Sequence, residues 1–148
     1  MSKNKENCLD MDILPALVGY HLRMAQLCAY RDFNDRIGRA TRTTPAQLAM
    51  LLLVEVNPGI SQTNLGSAMS MDRASTMAVI DKLEKRNWLS RNKSTEDRRK
   101  HALHVSPKGR AILRKLRPGM MRHEASITAR LDEQDKQLLI DLLKRIQK

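Results

Sequence analysis

The stretch MDRASTMAVIDKLEKRNWLSRNKSTEDRRKHALHVSPKG, residues 71–109, decides the fold of this chain. Its first half has the apolar spacing of an amphipathic helix running from Asp72 to about Arg86. Its second half holds two short strand-like runs around a charged segment, and Ser106-Pro107 ends the second run. The stretch therefore predicts a helix followed at once by a two-stranded finger. The helix should bury one stripe, made of Thr76, Val79, Ile80 and Leu83.

A short helix and a tight turn precede this amphipathic helix. Ser61 is a suitable N-cap for the short helix, and residues 70–72 form the turn. The three parts together predict a helix-turn-helix, whose second helix enters the major groove of DNA. The alternative is a solvated face in an ordinary helical bundle. The exposed side combines cations with small residues that allow a close approach to bases, and the predicted DNA contacts are Arg73, Ala74, Ser75, Met77, Ala78 and Lys82.

The finger turns this prediction into a winged helix-turn-helix. Cations gather near its tip, at Arg98, Arg99 and Lys100. We expect the tip to lie over the DNA backbone, with one arginine in the minor groove. Asp97 would repel phosphate, so we interpret it as the partner of a nearby arginine that fixes the loop and leaves Arg99 pointing outward.

The flanking segments predict further helices, so the fold class is mainly α with a small β-wing. The first helix should end at Gly38, and Thr44-Pro45 should begin a central, apolar helix that Asn57-Pro58-Gly59 stops. Ser106-Pro107 should begin a long helix that bends near Pro118, and Asp132 should cap the last one. The last helix carries an apolar stripe of Leu139, Leu142, Leu143 and Ile146.

The outer helices carry more apolar surface than a small winged unit could bury. We therefore expect a homodimer rather than a self-contained monomeric core. The expected organisation is a single domain over 1–148, with a winged helix-turn-helix part over 44–105 and dimerisation helices over 12–38 and 106–148.

Composition narrows the classes of function. A net charge of +11 over 148 residues favours a polyanionic partner such as double-stranded DNA, whereas 3% aromatic residues disfavour binders that stack on single-stranded bases. The sequence shows no signal peptide and no apolar run long enough for a bilayer, so we expect a cytoplasmic protein without membrane contact. It also lacks a phosphate loop, a nucleophile elbow or metal-ligand spacing, and His101 and His104 should face opposite sides of a strand. We therefore expect no enzyme activity, no metal and no cofactor.

Two stretches resemble the MarR family of transcriptional regulators. DRRKHALHVSPKG resembles the family's wing signature, and MDRASTMAVIDKLEKRNWLSR resembles its recognition helix running into the first wing strand. Asn87 stands where many members have glycine, which requires a left-handed asparagine, and Met77 and Ala78 replace residues that are often polar. The resemblance implies a homodimer that binds a pseudo-palindromic operator, usually as a repressor.

The resemblance also implies a small effector, often phenolic or anionic, bound between the dimerisation helices and the winged part. The first helix, LVGYHLRMAQLCAYRDF, is similar to regulators of aromatic compound catabolism, some of which sense aromatic acyl-CoA thioesters. The residues expected to bind an aromatic acid or its thioester are Tyr20, His21, Met24, Leu27, Arg36, Arg39 and Arg42. The first four could instead pack with a local hydrogen bond, and the arginines could instead grip DNA or stay solvated.

Two other functions stay open at this point. Cys8, before the first helix, could act as a redox switch, whereas Cys28 should lie in the core. Alternatively, the chain could be an architectural, sequence-tolerant DNA-binding protein, which the ratio of specific to non-specific affinity would distinguish from a regulator.

Overall fold

The computed structural model describes residues 9–93 and 101–147. A short 3-10 turn, Leu14–Ala16, leads into helix α1, Val18–Phe33. The helix does not end at Gly38 as expected. It continues through a π-helical turn, Asn34–Gly38, into helix α2, Arg39–Thr41, and ends where Arg42 adopts a left-handed conformation with φ 51°. Gly38 is buried, and a Cβ there would lie 2.5 Å from the Asn34 side chain, so this glycine serves close packing.

Side-chain caps begin the five remaining helices, and the sequence predicts all of them except the cap by Asp72. Thr44 and Gln47 form the reciprocal capping box of helix α3, Pro45–Val56. Ser61 caps helix α4, Gln62–Ala68, and Asp72 caps helix α5, Arg73–Lys85. Ser106 caps the long helix α6, Pro107–Ile127, which runs through Pro118 as a single α-helix. Asp132 caps helix α7, Glu133–Ile146. Each cap satisfies a backbone N–H that would otherwise lack a partner at a helix start.

The finger is part of a three-stranded antiparallel sheet. Strands β2, Leu89–Lys93, and β3, His101–Val105, pair with Leu89 opposite Val105. A two-residue strand, β1, Ile60–Ser61, pairs with the other edge of β3, giving the order β1-β3-β2. Strand β1 was not predicted, because two residues carry no alternation. Gly59, with φ 87°, starts it by donating its N–H to the Leu103 carbonyl at 2.8 Å. The predicted fold class is confirmed.

One core joins α1, the π-helical turn, the sheet and helices α3 to α6, whereas the 3-10 turn, α2 and α7 bury no residue. Helix α3 is central, as predicted, and it buries Leu48, Met50, Leu51 and Val54. Helix α5 buries the predicted stripe, with Thr76, Ile80 and Leu83 fully covered and Val79 half-buried. The remaining core side chains come from the first helical region, α4, the sheet and α6: Phe33, Ile37, Leu65, Trp88, Leu89, Leu103, Val105, Leu113 and Leu116.

A tight junction connects helix α5, the two-stranded finger and α6. Asn87 adopts the expected left-handed conformation, with φ 57°. The Ser106 N–H donates to the Trp88 carbonyl at 3.0 Å, and the Ser106 hydroxyl donates to the Asn87 carbonyl at 2.5 Å. Residue 109 fits only as glycine, because a Cβ there would collide with the Trp88 carbonyl oxygen and lie 2.8 Å from Cγ1 of Val105.

The outer helices leave apolar side chains uncovered within the single chain. No residue of α7 is buried, and Ile146 keeps 57% of its surface exposed. Near the other end, Ile13 and Val18 are similarly exposed. Cys28, expected in the core, is also exposed, since α1 lies on the outside and buries only Phe33. Within the described ranges, no helix combines the length and the apolarity needed to cross a bilayer.

The junction makes Gly109→Ala a strongly destabilising change. Because the added methyl meets backbone, we expect a loss of more than about 2 kcal/mol in the free energy of unfolding. Gly19→Ala is the matched control, since no atom lies within 4 Å of a Cβ there, and it should stabilise the helix by about 0.5–1 kcal/mol. Chemical denaturation measures both variants. Equal stability of the two would contradict the role given to Gly109.

Candidate functional site

Helix α5 presents a basic, small-residue face opposite its buried stripe. Of the six predicted contact residues, Met77 is half-buried, and the other five are exposed: Arg73, Ala74, Ser75, Ala78 and Lys82. The structure therefore gathers the predicted residues of this helix on one accessible face. Asp97 and the tip cations Arg98, Arg99 and Lys100 lie outside the described residues.

The N-terminal cap of α5 limits what Ser75 can do. Asp72 accepts the Ser75 N–H through Oδ1 at 2.8 Å and the Ser75 hydroxyl through Oδ2 at 2.6 Å. These bonds from Ser75 hold the pKa of Asp72 below its usual value. Because the hydroxyl hydrogen is committed to Asp72, the Ser75 oxygen is left as an acceptor. It suits a base amino group better than a phosphate.

An ion-pair bridge ties the wing to the recognition helix. Arg91, on strand β2, contacts Asp81 and also pairs its Nε with Glu84 Oε2 at 3.3 Å. Both carboxylates belong to α5, so one guanidinium neutralises the acidic residues of the helix and fixes the base of the wing against it. Sequence reasoning gave the task of ordering the wing to Asp97 and missed this bridge. The spacing of Asp81 and Glu84, three residues apart on a helix, was its available signal.

A second arginine joins the recognition helix to the end of the first helical region. Arg86 donates from its terminal nitrogens to the carbonyls of Thr41 and Arg42, at 2.6 and 2.8 Å. Its Cζ also lies 3.6 Å from the ring centroid of Trp88, a cation–π contact. Burial, together with the nearby charge of Arg42, lowers the pKa of Arg86. The C-terminal end of α5 therefore cannot shift without moving α2 or breaking these bonds.

The apolar side chains expected to bind an effector lie along one outward stripe of α1. The Tyr20 ring meets His21 edge-on, with centroids 5.4 Å apart, and His21 Nε2 is 2.8 Å from the Pro15 carbonyl. Met24 and Leu27 are exposed in the single chain. His21 thus has the local hydrogen bond that the packing alternative requires.

The expected arginine cluster is divided among separate partners. Arg36 pairs with Asp32 at 2.9 Å, and Arg39 pairs with Asp35 at 3.0 Å. The backbone carbonyl of Arg42 is held by Arg86. An anionic ligand would therefore compete with carboxylates for two of the three guanidinium groups.

A groove of about 430 Å³ opens on a different face of α1. It lies between α1, the start of α3 and the later part of α6, and its volume is in the range of small-molecule sites. At about 100° per residue, the α1 side that lines it is roughly 130° away from the Tyr20 stripe. The lining residues are Gln26, Ala29, Tyr30, Phe33, Thr44, Pro45, Ala46 and His123. Of the chain's four aromatic residues, two line this groove, and that concentration was the signal available in the sequence.

A polar cluster anchors one wall of the groove. Asp32 Oδ2 is 2.8 Å from His123 Nδ1, and Asp32 Oδ1 accepts the Ser126 hydroxyl at 2.8 Å. Arg36 donates to Asp32 at 2.9 Å and to the Ser126 oxygen at 2.8 Å. The hydrogen bond from His123, helped by Ser126 and Arg36, lowers the pKa of Asp32 to about 2. The His123 ring also meets Phe33 edge-on, with centroids 5.7 Å apart.

Comparison with known proteins identifies the family. The profile of the MarR family matches residues 43–101. A protein of Thauera aromatica, named as a candidate transcriptional regulatory protein for the hcr operon, is 37% identical over 129 residues, which are 87% of this chain and 78% of that protein. The repressor CouR bound to a 23-mer DNA duplex superposes with a TM-score of 0.88 at 35% identity, over 95% of this chain and 99% of CouR. The chain belongs to the MarR family.

Membership in the MarR family confirms the resemblance drawn from the wing and the recognition helix. The curated MarR relatives are transcriptional regulators. CouR bound to p-coumaroyl-CoA also matches this chain, with a TM-score of 0.85 at 33% identity, over 95% of this chain and 98% of CouR. In the part of this MarR chain that the structure covers, no group of three or more His, Cys, Asp or Glu side chains could hold a metal ion.

Arg86 stabilises the fold through the planar shape of its guanidinium as well as through its charge. We expect Arg86→Ala to lower the free energy of unfolding by about 2–4 kcal/mol, because it removes two charged hydrogen bonds and the contact with Trp88. Arg86→Lys should recover less than half of that loss, since one ammonium cannot reproduce the planar fork. Lys85→Ala, at an exposed neighbouring position, is the control and should change stability by under about 0.5 kcal/mol. Full recovery by lysine, measured by urea denaturation, would contradict this account.

Proposed function

We propose that this chain is a repressor that binds a pseudo-palindromic operator as a homodimer and releases it when a small aromatic effector binds. The observation that carries this proposal is the exposed basic face of α5 in a chain that superposes on DNA-bound CouR over nearly its whole length. We propose no enzymatic role, which agrees with the regulatory relatives.

The DNA contacts follow from the accessible face of α5. Arg73 and Lys82 reach phosphates or guanine edges, while Ala74 and Ala78 let the backbone approach the floor of the groove. Ser75 accepts from a base, and Met77 meets a thymine methyl at the edge of the face. The wing adds Arg98, Arg99 and Lys100 over the DNA backbone, with Asp97 ordering the loop. The net charge of +11 supports a large electrostatic contribution to affinity.

A second copy of the chain is the natural cover for the outer helices. The α7 stripe of Leu139, Leu142, Leu143 and Ile146 is unburied in one chain, and so are apolar residues before and along α1. Burial of these surfaces would stabilise a dimer by the hydrophobic effect. The dimerisation helices are then 12–38 and 106–148, flanking the winged part over 44–105. In this arrangement, the Tyr20, Met24 and Leu27 stripe serves dimer packing.

The groove beside α1 is the proposed effector site. It has apolar walls, a few polar groups and a position between the first helical region and the winged part. The acyl head of an aromatic thioester is of a size for this volume, and the nucleotide part would extend outside the groove. The family tie to CouR bound to p-coumaroyl-CoA supports this class of effector.

Arg73→Ala should separate base reading from phosphate binding. We expect it to weaken operator binding by roughly 1–3 kcal/mol, with a smaller loss on a random duplex of equal length. Arg130→Ala is the control, because it removes the same charge from an exposed site between α6 and α7. Fluorescence anisotropy across a salt series gives both affinities. Equal affinity of the wild-type protein for operator and random DNA would instead favour the architectural function.

Filling the groove should disable the effector response without harming DNA binding. We expect p-coumaroyl-CoA, used as the probe, to weaken operator binding by the wild-type protein. Ala29→Phe should reduce the affinity of the protein for p-coumaroyl-CoA at least 10-fold, because the added ring occupies the groove. Ala111→Phe makes the same change at an exposed position of α6 outside the groove and is the control. Competition titrations with labelled operator measure both effects, which linkage requires to be reciprocal.

Two other results would relocate or replace this site. Loss of the response in Tyr20→Ala or Met24→Ala, with Ala29→Phe unaffected, would move it to the outward stripe of α1. Release of DNA by peroxide, in a manner that depends on Cys8 and with no aromatic thioester active, would replace the effector mechanism with redox sensing.

A further inference from the structure

His123 meets the groove with one of its ring nitrogens hydrogen-bonded to Asp32. Its partner, Asp32, also accepts hydrogen bonds from Ser126 and Arg36, which hold the carboxylate ionised. An ionised carboxylate only accepts hydrogen bonds, so the proton in the 2.8 Å contact belongs to His123 Nδ1. In neutral imidazole the other nitrogen then carries a lone pair. In that neutral form, His123 offers Nε2 as an acceptor.

This acceptor is open to the groove. None of the described residues is hydrogen-bonded to Nε2, and the atom is not among the buried polar atoms that lack a partner. The side chain keeps 18% of its surface exposed and lines the groove next to Phe33. A ligand that fills the groove with an apolar ring would cover Nε2 and leave this acceptor unpaired, which weakens binding.

The surroundings hold the acceptor in place before any ligand arrives. Asp32 fixes one side of the ring, and Phe33 meets it edge-on. Arg36 and the Ser126 hydroxyl in turn fix Asp32. This hydroxyl accepts a hydrogen bond from Arg36 and donates one to Asp32. Such a supporting shell sets both the tautomer and the direction of a histidine.

We propose that His123 determines effector specificity by accepting, at Nε2, a hydrogen bond from a hydroxyl group on the effector's aromatic ring. The inference rests on the groove being the effector site of the proposed function. A hydroxy-aromatic ring satisfies Nε2, whereas an unsubstituted ring leaves it unpaired and a methoxy group sets one acceptor against another. The acid or thioester end of the effector should point away from His123, because its oxygens, like Nε2, only accept hydrogen bonds.

Three matched thioesters test this selectivity on the protein without DNA. Isothermal titration with p-coumaroyl-CoA, cinnamoyl-CoA and 4-methoxycinnamoyl-CoA should show at least about 10-fold tighter binding of the hydroxylated compound. His123→Phe keeps a ring beside Phe33 but removes Nε2, so the three affinities should agree within about 2-fold. Asp32→Asn frees the tautomer and should reduce the advantage of the hydroxyl group.

Equal wild-type affinities, binding of none of the three, or an advantage that survives in His123→Phe would each overturn the inference. Titration of labelled operator keeps this result separate from the proposed function. Selective binding that leaves operator affinity unchanged would refute the effector role alone, whereas operator release without selectivity would refute the role of His123 alone.

The tautomer can also be observed without any ligand. Long-range ¹H–¹⁵N correlation spectra of the free protein should show His123 protonated at Nδ1 and not at Nε2, and Asp32→Asn should shift it to a mixture. Protonation of Nε2 in the neutral wild-type ring would overturn the inference before any effector is tested.

Discussion

The backbone contact between Trp88 and the start of α6 is the constraint on which the rest of the structure depends. The Trp88 carbonyl accepts the Ser106 N–H, and residue 109 must be glycine for the helix to pass so close. At this point the recognition helix has just ended, the wing begins and returns, and the long helix α6 starts. A left-handed Asn87 turns the chain into the contact. The relative placement of the recognition helix α5, the wing and the long helix α6 therefore follows from a few hydrogen bonds.

The recognition helix is held at both ends, and this gives its exposed face a defined orientation. Asp72 caps the first turn, while Arg86 and Arg91 hold the last turns against α2 and the wing. Arg91 also neutralises Asp81, which would otherwise repel phosphate next to the reading face. A preordered face loses little conformational entropy on binding, so more of the contact energy is available for affinity and selectivity.

The features that could be predicted from the sequence are those with short-range causes. A side-chain cap such as Thr44 with Gln47 acts over three residues, and the alternation of β3 or the stripe of α5 is visible in one window. The order of these elements sufficed to predict the winged fold, and the apolar stripe of α5 sufficed to predict which side of that helix is exposed.

The features that could not be predicted depend on distant parts of the chain. Strand β1 exists only because β3 lies beside it, and the bonds of Arg86 join residues more than forty positions apart. The prediction that effector residues lie on the outward stripe of α1 follows from the apolar pattern of that helix, and it stays a prediction. The groove is formed by α1 only together with Pro45 of α3 and His123 of α6, and no local pattern records that meeting.

The continuous helical segment that connects the groove to the recognition helix α5 affects how a movement at the groove would reach that helix. Phe33 lines the groove, and the unbroken helical segment that follows it ends at Thr41, about 12 Å further along the axis. At Thr41 the guanidinium of Arg86 connects this segment directly to the end of α5, without an intervening flexible loop. Such a linkage has few internal degrees of freedom. A displacement at one end would then reach the other as a tilt of a rigid segment rather than as local unfolding, so filling the groove should leave α5 fully folded.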